Sequence, residues 1–337
     1  MLDQNKNFLM IVSFFTLVLI SLFYGYRDLS IGYDSYVYAM NFVYASDNYY
    51  SFEPFFDFIT NLIRLFTDNY SIYFSLISFI IFFNFFYLKK LIYEGDNFLE
   101  NQLIIFVSFI ISSTWILTII TNAIRQGIAL SFLYLFLWLF INKRFFYSLI
   151  FLMLSLLSHD SMVLFFLVFG FLFIRKENFF FALIIIFSLF YPLGFNEILI
   201  KFVSNSLGID LYDQIKNYEI KADAWVGFQP NFYIYTIFWF SLFLFVYKYI
   251  FNNKNYLNLL KVFSVLMLVY FIFGFGGYSN RYAFFVWAFL PVIQSYTVHM
   301  FFSKYKIGGD IKNFLITFLF FISVIIMLLN LGYLNVF

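Results

Sequence analysis

The stretch QLIIFVSFIISSTWILTIITNAIRQGIALSFLYLFLWLFI, residues 102–141, carries a single charged side chain, Arg125. A helix rises about 1.5 Å per residue and a bilayer core is roughly 30 Å thick, so about 20 apolar residues are needed to cross it. The stretch therefore reads as two spans, near 102–121 and 125–141, with the arginine at the turn between them. Comparable apolar runs lie near 8–24, 70–88, 145–157, 161–174, 178–194, 231–250, 258–275, 282–302 and 313–333, which makes eleven spans, two of them short. Composition agrees: 64% of the 337 residues are hydrophobic and 11% charged, whereas soluble chains run at roughly 45–50% and about 25%. Phenylalanine (58) and tyrosine (28) carry much of the excess. In lipid each backbone polar group must be satisfied inside its own segment, so the expected fold is an all-α, polytopic integral membrane bundle.

The outward segments 25–69 and 195–230 are too short to build cores of their own, so residues 1–337 are expected to form a single integral membrane domain. The first apolar run is too long for a signal-peptide core and reads as a retained span. The net charge of +2 matters less than where the charges fall. With a cytoplasmic N-terminus, thirteen of the twenty cations lie inside: Lys6, Lys89, Lys90, Lys143, Arg144, Arg175, Lys176, Lys248, Lys254, Lys261, Lys304, Lys306 and Lys312. That is the expected positive-inside bias. The segment EPFFDFITNLIRLFTD (53–68) would reverse the bias if it crossed. Its polar residues Asp57, Thr60, Asn61, Arg64 and Asp68 recur every three or four positions, and Pro54 suits a first turn. It is expected to be an outward interfacial helix near 54–68.

Arginine and lysine are sorted differently. Four of six arginines (Arg27, Arg64, Arg125, Arg281) lie outside, against three lysines (Lys201, Lys216, Lys221). Arginine presents a planar fork that grips phosphate oxygens in pairs, so the outer face looks prepared for a phosphorylated group. Arg125 in TNAIRQGIALS is almost flush with apolar sequence, and helical spacing puts Asn122, Gln126 and Ala129 on its face. Such a charge faces a cavity or a partner, or else snorkels to the interface. Arg281 in GFGGYSNRYAFF opens the tenth span after a glycine-rich turn, where free N–H groups favour anions; it also suits a plain helix-end anchor. His159 in LLSHDSMVLFF is placed in the outer turn between the fifth and sixth spans as a candidate base. The alternative is that Asp160 caps the sixth helix, with His159 a turn residue. His299, at the inner end of the tenth span, reads as structural. The first outward segment is crowded with tyrosines (Tyr26, Tyr33, Tyr36, Tyr38, Tyr44, Tyr49, Tyr50) and acids (Asp28, Asp34, Asp47, Glu53, Asp57, Asp68). These form either an aromatic belt or a carbohydrate-handling surface.

Other chemistries lack their signatures. No cysteine is present, which excludes thiolate chemistry and disulfides, and no P-loop, HExxH or GxSxG motif occurs. Two histidines without cysteine make no conventional zinc site. No basic stripe suggests nucleic acid.

Taken in order, YDSYVYAMNFV…FEPFFDFITNLI, NAIRQGIALSFLYLFLWLFINKRFFYSLIFLMLSLLSHDS and SNRYAFF resemble the EpsG family of bacterial exopolysaccharide proteins, relatives of the Wzy O-antigen and capsule polymerases. The likeness runs over most of 25–290, with Met162 where a small residue usually follows His-x-Ser. It implies a glycosyltransferase on the outer face of the bacterial inner membrane. One undecaprenyl-diphosphate-linked oligosaccharide would donate its glycan to a hydroxyl of a second. On that reading Arg125 and Arg281 stabilise the leaving diphosphate, with Arg27 next, and His159, Asp34 or Glu53 takes the proton. Asn122, Gln126, Tyr33, Tyr36, Tyr278, Asn280 and Tyr282 line the substrate. No metal or cofactor is expected. The implied partners are lipid-linked oligosaccharides and membrane lipids, with a flippase and a chain-length regulator as candidates. A membrane acyltransferase or a polysaccharide-precursor transporter is the alternative; the first should show a polar path through the bundle and the second two related halves, and neither is visible.

Overall fold

The computed structural model describes residues 2–44, 51–94, 100–220, 227–305, 307 and 309–333; Asp47, Tyr49, Tyr50, Lys221 and Lys306, named above, lie outside them. Among the described residues every regular element is helical, and the fold class is all-α. The chain folds as two compact units, Met1–Met162 with Pro291–Phe337, and Val163–Leu290.

The first unit contains α1 (Leu2–Gly25), α2 (Ser35–Val43), α3 (Pro54–Arg64), α4 (Tyr70–Ile92), α5 (Glu100–Ser112), α6 (Thr114–Thr121), α7 (Ile124–Ile141) and α8 (Phe145–Ser158). The second holds α9 (Phe166–Phe169), α10 (Glu177–Phe190), α11 (Phe195–Leu207), α12 (Leu211–Ile220), α13 (Pro230–Phe245), α14 (Lys254–Phe273) and α15 (Ser279–Trp287). After them, α16 (Leu290–Lys304) leads back to the first unit, which α17 (Gly309–Asn330) completes.

Six helical stretches are long and apolar enough to cross a membrane: Tyr70–Ile92, Ile124–Ile141, Pro230–Ile250, Lys254–Phe273, Ser279–Lys304 and Gly309–Asn330. The number rises to eight if each of two bent pairs is one span. That is fewer than the eleven expected, for physical reasons visible in the chain. The run near 102–121 breaks by 63° at Ser112–Ser113, where Ser113 Oγ accepts from Ile116 N and starts α6 afresh. The runs at 145–157 and 161–174 form shorter helices, and the second is a succession of 3-10 and α turns. The run at 178–194 stops at Phe190. Pro192 has no N–H to give, Gly194 adopts φ +73°, and the chain turns 95° into α11. Segment 195–230, expected as a loop, is helical over α11 and α12. One face of α11 exposes Phe195, Ile198 and Phe202, while Ile200 and Asn196 are buried.

α7 is the core helix of the first unit, packed by α8, α4 and α6, with nearly every residue buried. Two glycines allow the close packing around it. A Cβ on Gly25 would overlap the main chain of Ser75 at 2.5 Å, and one on Gly127 would sit 2.3 Å from Ile119 O. Glycine is required wherever backbones approach this closely. We expect Gly127→Ala to cost about 1–3 kcal/mol through overpacking, seen as a lower unfolding temperature in detergent; unchanged stability would show that α6 and α7 can part freely.

A helix does form where the interfacial one is expected, as α3 with Pro54 in its first turn, but it ends at Arg64, before Asp68. Asp57, Thr60 and Arg64 turn their polar groups to the protein, while Asn61 stays exposed. Asp57 accepts the Phe52 N–H at 3.0 Å, Thr60 lies 3.3 Å from the Tyr73 hydroxyl, and Arg64 donates to Phe42 O at 2.8 Å and to Asn41 O. Those carbonyls end α2 and lack partners within the helix, so a cation is well placed there. Phe58 and Leu62 are exposed on the helix together with Asn61, and Leu65 and Phe66 are exposed just after it.

Candidate functional site

Four helix ends of the first unit converge on Glu53. Pro54 fixes the start of α3 and leaves Glu53 as its N-cap with extended backbone, its carboxylate only 7% exposed. A carboxylate so buried needs a cation. Arg125, in the first turn of α7, supplies it: Nη1 donates to Glu53 Oε2 at 2.7 Å, and Nε donates to the Tyr38 hydroxyl of α2 at 3.2 Å. The guanidinium carbon lies over the Phe52 ring, 4.5 Å from its centre. Carboxylate, phenol and ring thus fix the fork in orientation as well as position. Arg125 keeps 27% of its side chain exposed, enough to meet a ligand.

The other Glu53 oxygen, Oε1, faces His159 Nδ1 at 3.8 Å. His159 follows the last residue of α8 in extended backbone, and its Nδ1 accepts the Ser161 N–H at 3.1 Å. The histidine, not Asp160, therefore caps the 3-10 segment Asp160–Phe165. An Nδ1 that accepts carries no proton in the neutral ring, so the hydrogen sits on Nε2. In this arrangement the outward nitrogen donates. It becomes a base only when the ring turns to the other tautomer, for which Glu53 Oε1 is the acceptor at hand.

The remaining expected site residues divide by position. Arg27 is 3% exposed: Nη1 donates to Tyr24 O at 2.6 Å and Nη2 to Ser35 Oγ at 3.1 Å, Nε is buried without a hydrogen bond, and the Phe74 ring lies 4.4 Å from the guanidinium carbon. Burial pulls its pKa down to about 10. Arg27 is thus a fastener between α1 and α2 and offers no free edge to a substrate. Arg64 donates to Phe42 O, Asn61 Oδ1 and Asn41 O, so two of the four arginines expected on the outer side hold main-chain carbonyls. Asn122 ends α6 beside Gly32, its Oδ1 buried without a hydrogen bond, and Gln126 is buried in α7. Asp34 precedes α2, half-buried and making no side-chain cap bond. Tyr33, in the turn before α2, and Tyr36, on the helix, are 95% and 58% exposed, whereas Tyr38 is buried.

Arg281 belongs to the second unit. Tyr278 adopts the left-handed φ of +56° and precedes α15, Arg281 N donates to Tyr278 O at 2.8 Å, and the guanidinium carbon is 4.9 Å from the Tyr278 ring centre. Asn280 and Tyr282 are half-buried beside it. The buried Tyr191 hydroxyl sits 3.0 Å from Gly274 O and accepts from Gln229 N at 3.0 Å, tying the glycine-rich turn to the start of α13. His299 is a core residue, its ring against Tyr93 and Tyr296 and its Nε2 3.3 Å from Gln102 Nε2.

Sequence reasoning missed Phe52 and Tyr38 as members of the cluster. Nothing marked Tyr38 among seven neighbouring tyrosines. For Phe52 a signal existed: Pro54 fixes the helix start, and Asp57 accepting the Phe52 N–H positions the residue before the cap.

An all-helical membrane protein with a half-open arginine held by a buried glutamate, and a histidine beside them, is a class defined by fold and site together. The chain matches the EpsG family over residues 8–336 and belongs to it. This is a family of Wzy-like polymerases and glycosyltransferases, which makes the chain a membrane protein of bacterial polysaccharide biosynthesis. No curated protein and no solved structure matches it.

Proposed function

We propose that this chain polymerises undecaprenyl-diphosphate-linked oligosaccharide repeat units into O-antigen, capsular or exopolysaccharide. The reaction would take place on the outer face of the inner membrane, with the N-terminus cytoplasmic and the short helices completing eleven crossings. The observation that carries the reading is the Arg125–Glu53–His159 cluster within an EpsG-family chain.

The acceptor sugar hydroxyl attacks the anomeric carbon of the donor glycan. The bond from that carbon to the diphosphate oxygen breaks, and the lipid diphosphate leaves with the bonding electrons. Arg125 meets the charge that grows on the leaving group, where oriented donors act most strongly; Arg281, in the second unit, is proposed on its own account as a cation for the diphosphate-linked substrates. A diphosphate gripping Arg125 draws the fork from Glu53 Oε2. The freed carboxylate then accepts His159 Nδ1–H, and Nε2 takes the proton of the attacking hydroxyl. Donor binding thus switches the base on. Asp34 is the second candidate base, and the exposed Tyr33 and Tyr36 offer flat faces for glycan rings.

The test is polymerisation of a purified lipid-linked repeat unit by this chain alone in liposomes, with and without a chelator. A product ladder in both conditions is expected, shortened severely by Arg281→Ala. A ladder abolished by chelator would overturn arginine as the charge-bearing group, and no ladder would remove the polymerase reading.

A further inference from the structure

The second unit carries an open groove of about 500 Å³ between α10 and α13. Its walls are mostly apolar, formed by Ile185, Leu189, Ile237, Phe240, Leu244 and Phe245, with the small hydroxyls of Ser188 and Ser241 between them. The ends differ. Tyr233, near the start of α13, closes one; Lys248 and Tyr249 close the other, in the π-helical turn Val246–Ile250 that ends this long helix. Widened turns of this kind re-aim side chains and often mark functional sites.

The π turn is anchored to α10 by the Tyr247 hydroxyl, which donates to Glu177 Oε2 at 2.8 Å. That bond brings the first turn of α10 to the lysine end of the groove. A second hollow of about 570 Å³ opens there, lined by Arg175, Lys176, Glu177, Asn178 and Phe179. Arg175, Lys176 and Lys248 are exposed. Lys261 is turned away, its ammonium 3.4 Å from Ile174 O and over the Phe180 ring. Glu177, the acid of this end, is held by Tyr247. Three exposed cations and the free N–H groups of α10 therefore collect where an apolar trough ends.

We infer that the α10–α13 groove binds one anionic phospholipid, an acyl chain lying along the trough and the phosphate resting among Lys248, Arg175 and Lys176. Charge complementarity selects this occupant. A lipid with its phosphate at the Tyr233 end would leave three exposed cations at the other end with Glu177 as the single carboxylate lining that hollow, a net positive charge unmatched. The site lies within the second unit, is separate from the Glu53 cluster, and does not depend on the reaction proposed there.

The experiment is native mass spectrometry of the full chain, released from micelles doped with equal phosphatidylglycerol and phosphatidylcholine. The expected result is one retained phosphatidylglycerol. Lys248→Glu should weaken the preference by about fivefold or more, since each cation near a lipid surface contributes on the order of 1 kcal/mol. Ser241→Phe, at an exposed groove position, fills the trough and should remove the bound lipid while the cations stay in place. Equal retention of the two lipids overturns the inference. So does loss with Lys248→Glu but not Ser241→Phe, which would mean a surface ion cluster without a chain site. Polyprenyl phosphate displacing phosphatidylglycerol and binding Lys248→Glu unchanged would also overturn it, by placing a substrate tail in the groove.

Discussion

Arg125→Ala stops chain growth, with an expected loss of about 10²–10³ in rate, as when one oriented charge-stabilising donor is removed elsewhere. The same change strands Glu53, 7% exposed, without its cation. A broken buried pair costs about 3–5 kcal/mol, so lower activity alone could reflect lower stability. Adding Glu53→Gln to Arg125→Ala removes the stranded charge. The double variant should regain much of the lost thermal stability and none of the activity. Arg125→Lys keeps the charge but cannot donate to Tyr38 and Glu53 together while lying over Phe52; it should lose about tenfold or more for want of one oriented donor. Polymer length on gels, normalised to folded protein, is the readout. Normal long polymer from Arg125→Ala would end the proposed role.

His159→Ala should cut transfer by about 10²–10⁴, the usual range for a positioned proton acceptor. His299→Ala should leave the rate per folded molecule unchanged while lowering stability, because its ring fills space between Tyr93 and Tyr296. Glu53→Gln in an otherwise intact chain separates two versions of the base. If the tautomer switch operates, it should match His159→Ala in effect, since an amide cannot hold the imidazolium. If His159→Ala and His299→Ala lose activity equally, His159 has no special part.

The membrane class, the helical fold and the positions of most apolar helices were legible because they follow from burial alone. The span count was not. Ser113, Pro192 and Gly194 interrupt runs whose hydropathy is continuous, and only local backbone geometry decides whether a run bends by 63° or 95°. At the site, Arg125, Glu53 and His159 could be named because ionisable groups are rare in such sequence. Their partnership could not, since the three lie 72 and 34 residues apart along the chain and meet only through helix packing. Arg27 and Arg64 show the opposite failure. A guanidinium suited to phosphate oxygens is equally suited to main-chain carbonyls, and the sequence does not distinguish the two uses.

Those two arginines also bear on how such a chain can diversify. Both grip peptide oxygens, Arg27 at Tyr24 and Arg64 at Asn41 and Phe42. A carbonyl persists whatever side chain its residue carries. Exposed tyrosines between them such as Tyr33 and Tyr36 can therefore be exchanged while the moorings hold, so that under the proposed function sugar preference can drift across generations without a new scaffold.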